Sequence, residues 1–336
     1  MTILETPSVT VIIPAFNEQG RLGRCLESIV RQDYPPDKLE ILVVDDDSTD
    51  GTVDIARAFG ARVLRNGEHN IERGKSIGAQ AATGDLVLLM DADNSLPEPE
   101  WLSVATRALQ ANPMAAGAQS AWFDYSHDDP AANRYCALFG INDPFAFYLK
   151  KRDKLTWFEK EWEIGGELLA SEDDYFLVRF TTSDMPTIGS QGYLISRELL
   201  RSTDYVPYLF HMEMNLELVG RGRDTFVMLR SSIAHDHCAT VGVLLSKLRR
   251  NFCLFLEQRN IRTYRWESTN LQWAGALLRM LTVIVPLIDS LRGYRSVRDR
   301  AWLLHPAMCV AVPSMYAFLY CKWRLTRQGS LLAPPR

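Results

Sequence analysis

One stretch limits this chain more than any other: Leu86-Val87-Leu88-Leu89-Met90 is uninterrupted hydrocarbon that stops abruptly at Asp91-Ala92-Asp93. A run of this kind predicts a strand buried on both faces of a parallel sheet, and ligands of such sheets gather beyond the carboxyl ends of the strands. The two carboxylates then stand at the ligand edge. In an extended segment, residues two apart point the same way, so Asp91 and Asp93 are expected to converge on one hard divalent cation. A cation with so few protein ligands completes its shell with phosphate oxygens and water, which points to a nucleotide diphosphate.

The surrounding pattern repeats strand and helix. Val9 to Ile13 is a β-branched run closed by Pro14, and Leu22, Leu26 and Ile29 come next at helical spacing. Leu39 to Val44 ends in Asp45-Asp46-Asp47, and Ser48-Thr49-Asp50-Gly51 offers capping side chains to a helix carrying Val53, Ala56 and Phe59. Arg62 to Arg65 reads as a third strand, Lys75 to Ala82 as a helix, and Glu98 to Leu109 as the next helix. Such alternation predicts an α/β fold with a mostly parallel sheet. Three segments are expected: 1–115 on the nucleotide side, 116–265 on the acceptor side, and 266–330 beyond them.

From Trp122 through Tyr148 to Trp162 and Tyr175-Phe176 the periodicity is irregular and aromatic. Two readings stay open, an acceptor-facing region and an aromatic core packed on the sheet. The cluster Thr187-Ile188-Gly189-Ser190-Gln191-Gly192-Tyr193 has two glycines that permit tight turns near a ligand. Trp273 to Ile288 is mostly apolar, and Ala301 to Cys321 has no Asp, Glu, Lys or Arg and is long enough to span a bilayer. The link between them carries Arg292, Arg295, Arg298 and Arg300, and the tail carries Lys322, Arg324 and Arg327. Were both segments to cross, one basic cluster would lie outside, against the positive-inside tendency. Re-entrant or interface-lying helices fit better, and Pro286, Pro306 and Pro313 interrupt a clean helix. A pair of buried helices in a soluble domain is the alternative.

The net charge of −4 excludes the basic footprint of a general nucleic-acid binder. The six cysteines are scattered without a paired spacing, which favours a reduced compartment. Met1 to Ser8 is short and polar, so a cytosolic N-terminal part is expected.

Four groups converge on one predicted edge: Pro14-Ala15-Phe16-Asn17-Glu18, Asp45-Asp46-Asp47-Ser48, Arg73-Gly74-Lys75-Ser76 and Asp91-Ala92-Asp93. Carboxylates accept hydrogen bonds from base N–H and ribose hydroxyls, while Arg73 and Lys75 can offset phosphate charge. Gly74-Lys75-Ser76 is not a P-loop, since that motif needs a glycine where His69 stands.

Taken in order, Val11 to Glu18, Val43 to Thr52, Gly74-Lys75 with Ala82-Thr83-Gly84-Asp85, and Met90 to Asp93 resemble a family 2 glycosyltransferase of the GT-A fold. The resemblance covers roughly the first third of the chain. It implies an inverting transferase that uses a nucleotide sugar, a UDP-sugar first among them, with Mg²⁺ or Mn²⁺. By carry-over, Pro14, Ala15, Glu18 and Asp46 hold base and ribose, with Phe16 and Asp45 beside them. Asp91 assists at the ribose or metal, and Asp93 is the principal metal ligand. His235 is implied as a metal or phosphate contact, and Lys247 and Arg250 as basic residues over the diphosphate. Family members often carry the acceptor base in a Glu-Asp-x-Asp run at a helix start. Here the matching segment is Phe210 to Glu217, with Glu213 at the last acid and His211 where the usual catalytic Asp stands. Glu213 is therefore the expected base, with His211 and Asp204 as rivals.

The expected activity is transfer of a sugar to a hydroxyl of a lipid-linked or cell-envelope glycan, at the cytoplasmic face of a membrane by peripheral or monotopic attachment. A polyprenyl-phosphate acceptor, as in dolichyl phosphate mannose synthase-like enzymes, is the alternative, because an ionised acceptor oxygen needs no dedicated base. A non-catalytic nucleotide-sugar-binding protein is a weaker one. A nucleotidylyltransferase would need a glycine-rich, Arg-Lys signature after its first strand, which Pro14 to Glu18 is not.

Overall fold

The computed structural model describes residues 5–189, 191–258 and 269–330. Ser190, the expected boundary at 265 and the side chain of Arg327 lie outside the described residues. The strands in chain order are β1 (Val9–Ala15), β2 (Leu39–Asp45), β3 (Arg62–Arg65), β4 (Leu86–Leu89), β5 (Asn94–Ser95), β6 (Ala115–Phe123), β7 (Glu167–Ser171), β8 (Tyr175–Arg179), β9 (Tyr193–Ser196) and β10 (Thr225–His235). The helices are α1 (Leu22–Val30), α2 (Thr52–Ala58), α3 (Ile71–Ala81), α4 (Trp101–Ala111), α5 (Ala131–Phe139), α6 (Pro144–Tyr148), α7 (Arg197–Arg201), α8 (His211–Gly220), α9 (Val241–Gln258), α10 (Asn270–Leu281), α11 (Ile284–Ser296) and α12 (His305–Ser330).

The chain forms two compact units. The first comprises Met1–Tyr125, Arg152–Leu155 and Glu159–Asp236. Among its described residues the strands make one sheet in the order β3-β2-β1-β4-β9-β6-β10-β8-β7, with β5 paired to β10. Hydrocarbon dictates the centre: all seven residues of β1 are buried, as are Val87, Leu88 and Leu89 of β4. Strands β1 to β4 pair in parallel as the sequence predicts, but β9 runs antiparallel between β4 and β6. Two antiparallel steps restore the direction, so β6 and its parallel neighbour β10 end on the same edge as β4. That topology brings His235, at the end of β10, to the edge where Asp91 and Asp93 emerge. The sheet also runs straight through position 115, so the first two expected segments share one core.

Helix α3 starts earlier than predicted, at Ile71, because Asn70 caps it by accepting from the Arg73 N–H at 3.1 Å. Lys75 therefore sits inside the helix. The helix lies flush on β1: a Cβ on Gly78 would come within 2.3 Å of Ile12 Cγ2.

The second unit comprises Ser126–Lys151, Thr156–Phe158 and His237–Arg336. Its helices are α5, α6 and α9 to α12, and at the start of α12 the buried His305 stacks its ring on Phe139 at 4.0 Å and stands 3.0 and 3.1 Å from the hydroxyls of Tyr135 and Tyr148. The apolar run Trp273 to Ile288 is not one helix. It breaks at Thr282-Val283 into α10 and α11, bent by 71°. Among the described residues one helical stretch, Arg300–Leu325, is long and apolar enough to cross a membrane, and 39% of its apolar window is buried in the protein.

Candidate active site

Parallel register sets the edge. Ala15, Asp45 and Arg65 are register partners at the ends of β1, β2 and β3, so the loops beyond them leave the sheet side by side. The first loop is locked to the second: Asn17 N–H donates to Ser48 Oγ at 2.9 Å and Glu18 N–H to Thr52 Oγ1 at 2.8 Å. Asn17, Asp47 and His69 all have positive φ, of 54°, 61° and 49°. Three side-chain-bearing residues in a region that favours glycine, all on one edge, mark it as a place of stored strain.

Asp45 Oδ2 accepts from Ser48 N–H at 3.2 Å, while its buried Oδ1 has no protein donor among the described residues. Asp46 Oδ1 accepts from the His69 N–H at 2.8 Å. Beside it the half-exposed ring of Phe16 meets the His69 ring edge to face at 5.3 Å. A planar group could slot against this pair, with carboxylates at its rim.

Strand β4 ends at Leu89, and residues 91–94 form a turn: Asn94 N–H donates to Asp91 O at 3.0 Å, and Asp91 N–H to Asn94 Oδ1 at 3.2 Å. This corrects the expectation of an extended Asp-Ala-Asp segment. Asp91 and Asp93 engage different partners as a result. Asp91 Oδ1 meets the buried ammonium of Lys75 at 3.0 Å, so that charge is compensated before any ligand arrives. Lys75, expected to offset phosphate, is thus committed to Asp91. Asp93 Oδ2 lies 3.6 Å from His235 Nε2, with both side chains largely shielded from solvent. His235 is held on its other sides by Phe123, 5.4 Å between ring centres, and by Gln191, whose Nε2 is 3.4 Å from Nδ1.

The Asp93 carboxylate suits Mn²⁺ or Mg²⁺, and the His235 imidazole beside it fits the less hard Mn²⁺ better than Mg²⁺. Among the described residues no group of three or more His, Cys, Asp and Glu is arranged to hold a metal, so an ion here would draw further ligands from substrate and water. Under the turn, burial pushes the Cys25 thiol well up and the carboxylates of Asp93 and Asp91 add to it, so that sulfur stays protonated.

The turn is anchored at its far side as well. Asp236 N–H donates to Asp93 O at 2.9 Å, and the Asp236 carboxylate pairs with Arg24 at 2.8 Å and Arg21 at 3.6 Å.

His211 and Glu213 open α8, and loops bring that helix start toward α3. Leu209 N–H donates to Glu72 O at 3.0 Å, and Arg73 Nη1 to Pro207 O at 3.3 Å. Arg73 also binds Glu68 at 3.0 Å, so it ties loops together. The Gly189 turn packs on the same helix: at φ +115°, a Cβ there would come within 2.5 Å of Asn215 Nδ2. Its N–H donates to buried Gln119 at 3.2 Å. Glu213 is half-buried in the first turn of α8. Asp204 stands in the loop before it, its N–H donating to Glu217 at 3.0 Å. Lys247 and Arg250 belong to α9 in the second unit, where Lys247 Nζ donates to His237 O at 2.7 Å.

Three residues at the edge were not singled out as site residues by sequence: His69, Phe123 and Asp236. His69 carried a usable signal, because it lies just past the third predicted strand and so had to emerge on the same edge. Phe123 had none, since its place depends on the inserted antiparallel β9, while Gln191 was visible only as part of the glycine-bearing turn before β9.

Comparison with known proteins agrees with this layout. Residues 10–167 match the model of the family described as Glycosyl transferase family 2. Glycosyltransferase AglE of Haloferax volcanii is 30% identical over 135 residues, 38% of this chain and 44% of that protein. A dolichyl N-acetyl-alpha-D-glucosaminyl phosphate 3-beta-D-2,3-diacetamido-2,3-dideoxy-beta-D-glucuronosyltransferase of Methanococcus voltae is 31% identical over 101 residues, 28% of this chain and 31% of that protein. The chain thus spans less than half the length of either relative. The mannosyltransferase PcManGT of Pyrobaculum calidifontis, solved with GDP-Man and Mn²⁺, superposes with a TM-score of 0.51 at 18% identity, covering 98% of this chain and 82% of that one. At that identity the likeness shows the fold.

Proposed function

We propose, from the match of residues 10–167 to the model of Glycosyl transferase family 2, that the chain moves a sugar, with inversion, from a nucleotide diphosphate sugar to a hydroxyl of a lipid-linked or cell-envelope glycan. The observation that carries this reading is the Asp93 carboxylate 3.6 Å from His235, on the sheet edge that also presents Asp45, Asp46 and Phe16. Phe16 flanks the base, Asp46 and the buried Oδ1 of Asp45 accept from base or ribose, and Pro14, Ala15 and Glu18 shape the floor. Lys75 holds Asp91 in place at the ribose end. Asp93 and His235 would hold Mn²⁺ or Mg²⁺, which when bound supplies positive charge against the diphosphate leaving group. Glu213 accepts the proton of the acceptor hydroxyl as that oxygen attacks the opposite face of the sugar. Lys247 and Arg250 are assigned to the diphosphate by resemblance alone.

A polyprenyl-phosphate acceptor is the second reading. It is favoured by His211 standing at the first position of α8, where the family resemblance places the catalytic acid, which leaves Glu213 as the acid of the first turn. The Methanococcus relative, by its name, acts on a dolichyl-phosphate-linked sugar. Action at the cytoplasmic face of a membrane, by peripheral or monotopic attachment, completes the proposal.

The test is a thermal-shift panel of UDP-, GDP- and TDP-sugars with and without Mn²⁺. A donor at one hundred times its Kd stabilises by about 2.7 kcal/mol, a shift of several degrees. One nucleotide should stand out, and more so with Mn²⁺; a flat panel would overturn the reading. An acid-labile single-sugar lipid product would select the polyprenyl-phosphate acceptor over a glycan hydroxyl.

A further inference from the structure

Helices α10 and α11 of the second unit turn an apolar corner outward. Leu278, Leu281, Val283, Ile284, Leu287 and Ile288 keep between 43% and 67% of their surface exposed. An apolar face of this density is unlike the scattered exposed residues of an ordinary surface and calls for a cover. With 12 and 13 residues, the helices are about 18 and 20 Å long, each short of the roughly 30 Å hydrocarbon core, and the 71° bend makes them a broken pair rather than one straight helix.

The corner itself is strained. Val283 has φ 61° and ψ −34°, and Ile284 N–H reaches back to Thr282 O at 2.6 Å, a tight turn that glycine would adopt freely. A β-branched hydrocarbon is kept at the outermost point despite that cost. The charges sort by side. Over the described residues 270–300 the arginines Arg279, Arg292, Arg295, Arg298 and Arg300 are exposed. The two acids of the same stretch turn inward: Asp289 accepts from Tyr148 at 2.9 Å, and Asp299 pairs with Arg134 at 2.7 Å.

We propose that the α10–α11 corner is a wedge that enters one leaflet of an anionic membrane, with Val283 and Ile284 at its tip and the arginines at the headgroups. This rests on the membrane part of the proposed function and names its element and lipid chemistry. A bilayer fits better than a second copy of the chain, because a copy would bring the same exposed arginines and no exposed carboxylate of residues 270–300 to meet them. A phosphatidylglycerol surface supplies both the hydrocarbon and the negative charge.

The test is co-sedimentation of the full chain with vesicles of phosphatidylcholine alone or with one quarter phosphatidylglycerol. The wild-type chain should partition at least about tenfold more strongly onto the anionic vesicles. Val283→Asp with Ile284→Asp should lower that partition at least tenfold, and Arg295→Gln with Arg298→Gln should abolish the preference for phosphatidylglycerol. A wild-type chain that stays in solution, or a tip variant that sediments like wild type, would overturn the proposal. So would light scattering in which the tip variant converts a dimer to a monomer with vesicle binding unchanged. The donor-induced thermal shift, read on the same samples, separates the two readings: a tip variant that loses vesicles and keeps the shift is folded. A chain that binds vesicles and shows no donor shift contradicts the transferase reading alone.

Discussion

Asp93 and His235 arrive at their 3.6 Å contact from strands β4 and β10, which lie three steps apart in the sheet and more than a hundred residues apart in sequence. Two antiparallel pairings around β9 are what make those strands co-directional. Asp93→Asn should lower turnover about 10²–10³-fold, the scale of removing one group from the support of developing charge. His235→Ala should weaken Mn²⁺-dependent donor affinity about tenfold while leaving metal-free nucleotide binding in place. Initial rates and calorimetric titration with and without Mn²⁺ check both.

Lys75 is 3% exposed, and its ammonium sits 3.0 Å from Asp91. Lys75→Met leaves the carboxylate without its cation and should cost about 3 kcal/mol, the lower end for breaking a buried pair, because Asp91 keeps some solvent access. Lys75→Met combined with Asp91→Asn should recover most of that loss in urea melts. Donor affinity should not recover with it.

Glu213, in the first turn of α8, is the base we propose. Glu213→Gln should lower turnover about 10²–10⁴-fold, the range for a general base, at unchanged donor affinity. Near-full turnover in that variant would remove Glu213 from the role and favour an acceptor that arrives already ionised.

Glu40 gives a pH signature remote from the site. Partial burial pushes its carboxyl up, but hydrogen bonds from Thr10 Oγ1 at 2.6 Å and from Thr83 N–H and Oγ1 at 2.9 and 2.8 Å, with Arg62 nearby, outweigh this and hold it below the usual range. A lowered folded value means stability that is present above the unfolded value, about 4.3, and lost as pH falls through the folded one. Glu40→Gln should therefore melt lower than wild type at pH 7, with the gap closing as the pH is taken to about 3. Thermal melts across that range check it.

The parallel half was legible because its signals are local: unbroken runs such as Val9 to Ile13 and Leu86 to Met90 end at the residues that emerge on one sheet edge. The edge residues Asp46 and Asp93 could be read from that. The pairing of Lys75 with Asp91 could not, because it depends on where α3 begins, and the Asn70 cap sets that start about one turn before the alanine pattern suggested. Nor could β7, β8 and β9, which are short and gain their meaning from non-local pairing. The apolar C-terminal segments were visible, but the corner at Val283 was not, since nothing in its composition marks a break.

If the edge formed by Asp46, Asp93 and His235 takes a metal together with a nucleotide diphosphate, each should raise the protein's affinity for the other. Titration of Mn²⁺ followed by electron paramagnetic resonance, with and without UDP or GDP, reads that coupling directly. The expected outcome is weak Mn²⁺ binding by the protein alone, tightened at least about tenfold by one nucleotide diphosphate, with the gain absent in Asp93→Asn. Mn²⁺ affinity that no nucleotide changes, or a gain that survives in Asp93→Asn, would contradict this assignment of the site.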